Sequence, residues 1–193
     1  MSRLLFLFQL ATILACGAFP ALAAEKDYKD MTPAEYRQKV HKDVLGAVAQ
    51  TKKLDPGIDR FFKDSAGYVV FPRVGKFGFI VGGGGGDGEL FEKGRAIGIA
   101  SITLATIGLQ VGVQEFSQLI FFKDQAALAR FKENKFEFTA NVSAVILTAG
   151  GSKGADYRDG VAVFTHSNAG VMGEVALGTQ KFSFKRDGAA AKK

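Results

Sequence analysis

The chain has 193 residues, 47% of them apolar and 23% charged, with a formal net charge of +6. That is enough for one hydrophobic core, and the balance excludes a disordered tail protein. One cysteine excludes a disulfide framework, and the basic excess favours an anionic partner, with membrane headgroups ahead of nucleic acid for an exported chain.

The opening "MSRLLFLFQLATILACGAFPALAA" has Arg3 as its positive region, an apolar stretch from Leu4 to Phe19, and small residues at Ala21 and Ala23. It reads as a secretory signal over 1–23, cleaved after Ala23, and its apolar stretch is short for a membrane span. The expected location is therefore periplasmic or secreted. Cys16 lies in "ILAC", which resembles a lipobox and opens an outer-membrane lipoprotein route, although Leu14 is bulky for its position. Without lipidation the mature chain would hold no thiol. Residues 24–31 read as a flexible leader.

Thr32, Pro33 and Glu35 form a capping box with proline at the first helical position, and Tyr36, Val40, Val44 and Val48 follow at steps of four. The pattern predicts a helix over 33–51 with one apolar stripe. Its other side carries Arg37, Lys39 and Lys42, with Lys52 and Lys53 near its end, where cations suit the helix dipole. Asp55-Pro56 starts a second short helix to about residue 64.

From Gly67 the period changes to two. "GYVVFP", "KFGFIVG" and "GELFEKG" read as strands, the last two joined by "GGGGGDG", that is Gly82, Gly83, Gly84, Gly85, Gly86, Asp87 and Gly88. This stretch reads as a flexible hairpin loop. Ile107, Leu109, Val111 and Val113 alternate with Gly108, Gln110, Gly112 and Gln114, and 136–146 alternates likewise. Between them "SQLIFF" precedes a short helix capped by Asp124. "VAVFTHS", "VMGEVAL" and "KFSFK" supply three more strands. Gly78 and Gly82, like Gly108 and Gly112, are spaced to share a strand face and suit bends where a sheet closes on itself. The expected fold is α+β: an antiparallel, barrel-like core of eight or nine strands, two N-terminal helices and one inserted helix. Residues 150–160 read as a second long mobile loop, and 186–193 as a disordered tail.

Catalytic arrangements find little support. The glycine stretch contains G-x-G-x-x-G only because six of its seven residues are glycine, no helix follows it, and no G-K-[ST] is present. His41 and His166 have no metal-pair spacing, and Ser167 is not on a G-x-S-x-G elbow. Neither an enzyme nor a cofactor is expected.

The stretch "FPRVGKFGFIVGGGGGDGEL" resembles the SYLF domain family through Phe71, Pro72, Val74, Lys76, Gly78, Phe79, Val81, Gly82, Gly83, Gly86, Gly88 and Leu90. The likeness continues through Ile107, Gly108, Gln110, Gly112 and Gln114, with Thr106 in place of Ser, then Leu128 and Phe131, and on to Phe164, Ser167 and Gly170. It spans 32–185, more loosely in the second half, where Glu174 and Thr139 stand at glycine positions. The resemblance implies a non-catalytic domain binding phosphoinositides or other anionic lipids. Family members in animals reach membranes through a basic amphipathic helix and act in actin remodelling. An exported chain would not meet actin, so only lipid binding carries over.

The expected lipid contacts are Lys76, Lys93, Arg95, Lys153 and Arg158 around the two loops, with Arg37, Lys39, Lys42, Lys52 and Lys53 on the first helix. Each cation near an anionic surface contributes about 1 kcal/mol, so the expectation is weak, salt-sensitive, headgroup-tolerant binding. A cell-envelope structural or interaction module without meaningful lipid affinity is the alternative. A small outer-membrane barrel is a further one, opposed by the capped helices and the polar C-terminal end.

Overall fold

The computed structural model describes residues 30–139, 145–146 and 151–188. The signal segment with Cys16, leader residues 24–29 and tail residues 189–193 lie outside the described residues.

Helix α1 (Pro33–Leu54) begins as its sequence dictates. The Thr32 hydroxyl accepts from the Glu35 backbone N–H at 3.2 Å, and the Glu35 carboxylate accepts from the Thr32 N–H at 2.8 Å. It runs three residues past the expected end, because the Asp55 N–H still bonds the Thr51 carbonyl at 2.9 Å. The Asp55 side chain caps a 3-10 turn, Pro56–Ile58, which leads into α2 (Asp59–Asp64). The inserted helix α3 (Gln125–Lys132) is capped by Asp124, whose carboxylate accepts from the Ala127 N–H at 2.8 Å.

The strands are β1 (Gly67–Gly78), β2 (Val81–Glu92), β3 (Arg95–Phe122), β4 (Glu137–Thr139), β5 (Val145–Ile146) and β6 (Val161–Arg186). Six strands among the described residues replace the expected eight or nine. The sequence reading cut β3 and β6 into pieces where the chain is continuous for 28 and 26 residues. Residues 140–144 of the strand expected over 136–146 lie outside the described residues.

β3 bends rather than ends. Gly108 and Gly112 have φ of 145° and 135°, left-handed values open to glycine, and the strand changes partner between them. Up to Ile107, opposite Val81, it pairs with β2; from Gly112, opposite Gly78, it pairs with β1. β6 follows β3 from Gly98 opposite Arg186 to Phe122 opposite Val161. All pairings are antiparallel except β5 with β6. Among the described residues the sheet curls but does not close: β4 and β5, three and two residues long, pair with β6 and not with each other. The expected barrel is therefore corrected to an open sheet.

The curl separates two cores. On one face Val69, Phe71, Ile102, Ile120 and Phe182 pack with Leu128 and Phe131 of α3. On the other Val70, Phe91, Leu119, Phe121 and Phe164 pack with Val40 and Val44 of α1 and Phe61 of α2. Phenylalanine makes the joints: Phe71 and Phe182 lie 5.8 Å apart between β1 and β6, and Phe61 meets Phe164 edge-on at 4.8 Å.

Two expected loops are corrected. The glycine stretch lies inside β2, and the turn it was expected to make falls one step earlier, at Phe79 and Ile80. The run is glycine because β1 crowds it. A Cβ at Gly84, Gly86 or Gly88 would stand 2.0, 2.1 and 2.0 Å from the carbonyl oxygens of Gly75, Arg73 and Val70. Residues 151–160 are anchored rather than mobile. The Ser152 N–H donates to the buried Asp55 carboxylate at 2.6 Å, and Arg60 donates to the carbonyls of Ser152, at 2.9 Å, and Ala155. Burial, with the Asp64 charge nearby, pushes the Tyr157 hydroxyl of this segment up to about 12. Gly150 lies outside the described residues.

Candidate binding surface

The expected basic contacts do not gather. On α1, Arg37 pairs with Asp187 at 2.5 Å and Lys39 with Asp43 at 3.6 Å. Lys52 pairs with Asp59 at 2.7 Å, which holds the Asp59 carboxyl below its usual range, and lies over the Phe62 ring at 4.6 Å. Lys42 and Lys53 are exposed and have no ion-pair partner among the described residues.

Lys93 and Gly94 make the β2–β3 turn, with φ of 53° and 73°, and Arg95 opens β3 directly after it. Arg158 bridges to Val161, whose β6 end is in register with Phe122 and through it with Gly67 and Glu92, so it shares that end of the sheet. Lys153 stands in the 3-10 turn Gly151–Gly154, beside Gly57. Lys76 lies elsewhere, opposite Gly84 and Gln114 toward the far end of β2. Twelve residues of strand separate the two ends, at most roughly 40 Å along the chain at about 3.3 Å per residue.

At the far end the surface is apolar. Phe77, Phe79, Ile80 and Val81 surround the β1–β2 turn, with exposures of 61, 68, 56 and 70%. Ile107, Val111 and Val113 of β3 are 70, 65 and 67% exposed. Register makes them neighbours: Phe77 is opposite Val113 and Val81 opposite Ile107, and the Gly108 N–H donates to the Ile80 carbonyl at 2.9 Å. Period-two alternation puts Phe77, Val81, Ile107, Val111 and Val113 on one face. The seven expose an area on the order of 700 Å², above the ~300–600 Å² of the largest patch on a typical monomer.

The patch shares its face with α1. The helix crosses from β2, where Tyr36 donates to Asp87 and His41 Nδ1 lies 2.7 Å from Glu89, past Arg73 of β1, which holds Asp43 at 2.6 Å, to Gln50 beside His166 of β6 at 3.1 Å. Beyond Asp87 no described helix covers the sheet on this side. The side chains of β6 from 169 to 177, next to the β3 bend, lie outside the described ones.

The sequence reading missed this patch. Its signal was "FGFIVG", four apolar residues within five positions, interrupted by Gly78 and followed by Gly82, at a turn, where polar residues are usual. For chemistry the structure offers little: among the described residues no three His, Cys, Asp or Glu side chains gather as a metal site. Nor is any described helix long and apolar enough to cross a membrane.

The model of the Ysc84 family, described as "Las17-binding protein actin regulator", matches residues 103–191. This match over residues 103–191 is consistent with the SYLF-family likeness of the sequence. The SYLF match begins within β3, ahead of its bend, and takes in α3 and all of β6. The glycine stretch, where the likeness read from the sequence was tightest, lies before it. No curated protein matches the chain.

Proposed function

We propose that this protein docks reversibly on anionic lipid surfaces without catalysis, and that it does so as an exported, periplasmic or secreted protein. The observation that carries the reading is the cluster of seven exposed apolar side chains at one end of the sheet in a chain of net charge +6. The lipid association of the SYLF family supports it. The family's description also names Las17 binding and actin regulation. The reading leaves those aside, because an exported chain would not meet actin.

Magnitudes set the balance of forces. Fully burying one Val, Ile or Phe side chain contributes about 1.5–3 kcal/mol, whereas one cation near an anionic surface contributes about 1 kcal/mol. Four partly buried tip residues therefore match or exceed the four or five scattered cations that could face one membrane. Charge brings the protein to the surface and the apolar patch holds it there.

The test is co-sedimentation of residues 24–193 with phosphatidylcholine vesicles, with and without anionic lipid such as cardiolipin or a phosphoinositide, at low and physiological salt. The expected result is binding to the anionic vesicles that weakens but persists as salt rises. Equal, negligible binding to both would reject lipid docking and favour an envelope protein-interaction module using the same patch.

A further inference from the structure

The apolar end of the sheet is a broad face. β3 wraps the β1–β2 turn, and β6 runs on beside it, with Ala176 opposite Gly108 and Met172 opposite Gly112. On the side shared with α1, strand register sets the described residues in rows. One row is Val113, Phe77, Gly83 and Ala105. The next row toward α1 is Glu115, Gly75, Gly85 and Thr103, and away from α1 lie Val81 and Ile107. The two glycines of the second row leave a trough: a Cβ on Gly75 would meet nothing within 4 Å. The Tyr36–Asp87 contact closes its far side.

Area, shape and charge fit a second copy of this chain to the face. The seven apolar side chains expose on the order of 700 Å², near the roughly 800 Å² that each partner gives to a standard protein interface. A two-fold axis along the Val113–Phe77 row brings Val81 and Ile107 of each copy over Gly75 and Gly85 of the other. Ridge then meets trough, and the two sheets pack face to face as in a β-sandwich. The row at the axis carries no charge, while Glu115, Thr103 and Asp87 stand behind it as a polar rim. Lys93 and Arg95 lie at the other end of the twelve-residue β2, beyond the screening length of about 8 Å at physiological salt, so the net charge does not oppose this contact.

We propose that the chain forms a two-fold dimer through this face, and that the dimer hides the surface that docks on lipid. Membrane and partner copy compete for one patch: the protein pairs in solution and binds lipid as a single copy. By mass action, dilution and excess lipid favour docking, and crowding of the protein favours the pair. The competition rests on the lipid-docking reading given above; the dimer does not.

Sedimentation velocity of residues 24–193 over a concentration series reads the pairing, and the mass should rise from one copy to two. Val113 is exposed, and the axis sets it against its own counterpart. Val113→Glu should therefore stay single at every concentration, as should Val113→Lys, and an equimolar mixture of the two should pair again. Unchanged circular dichroism confirms that each variant folds. In parallel, rising concentrations of the unsubstituted chain are added to a fixed, large excess of fluid anionic vesicles. The bound fraction should roughly halve over the range in which the mass doubles. A native chain that stays single, a Val113→Glu variant that pairs like the native chain, or a mixture that stays single overturns the dimer. A bound fraction that holds constant while the mass doubles overturns the competition and leaves lipid docking intact. Failure to bind any anionic vesicle removes the docking reading and the competition with it, while a mass doubling lost in Val113→Glu still upholds the dimer.

Discussion

At the scale of single residues, glycine has opposite consequences in different places. In β2 it is required by the approach of another backbone: a Cβ at Gly86 would lie 2.1 Å from the Arg73 carbonyl oxygen, a main-chain atom that cannot swing aside. Gly86→Ala is expected to destabilise the fold by about 2 kcal/mol or more, the scale of overpacking in a fixed core. In α1, Gly46 has nothing within 4 Å of its would-be Cβ and sits mid-helix. Gly46→Ala should stabilise by about 0.5–1 kcal/mol. Midpoints of urea unfolding at constant slope measure both. The composition shows that glycine is abundant; only the β1–β2 register shows that these glycines are a crowded strand and not a flexible loop.

At the scale of elements, legibility follows the range of the interactions that decide each feature. Helix starts were readable because a cap is a local bargain between a side chain and a backbone three residues on, as at Thr32 and Asp124. Removing such a cap has a local cost. Thr32→Ala should lower stability by about 1 kcal/mol and speed amide exchange in the first turn of α1 relative to its middle. Alternation in β3 was readable for the same reason. Its continuity through Gly108 and Gly112 was not, since whether a glycine ends a strand or bends it depends on β1 and β2, far away in sequence. Nor does alternation say which face is covered. Ile107, Val111 and Val113 share a face as their spacing implies, yet that face is open, while Thr106 on the other face is buried.

At the scale of the molecule, the sheet carries α1 and α2 on one face and α3 on the other, and among the described residues leaves a cluster of exposed apolar side chains at one end. The sequence pointed to cations because charge is visible in composition. Folding then set Arg37, Lys39 and Lys52 against carboxylates and placed Lys93 and Arg158 at the end away from the patch. The apolar turn escaped notice because "KFGFIVG" has the composition of an ordinary buried strand. Exposure is a property of the whole assembly of elements, and no local pattern encodes it.

Lipid docking by that exposed apolar end is tested most directly by comparing two variants for affinity toward fluid anionic vesicles. Phe77→Ser, Phe79→Ser and Ile80→Ser combined remove the apolar turn; Lys42→Glu and Lys53→Glu combined reverse two exposed helix cations. With circular dichroism unchanged in both, the turn variant should bind at least tenfold more weakly than the native chain, a loss of about 1.4 kcal/mol or more. The helix variant should lose less, and its loss should vanish at high salt. A turn variant that binds like the native chain, or a helix variant that alone abolishes binding, would contradict the account.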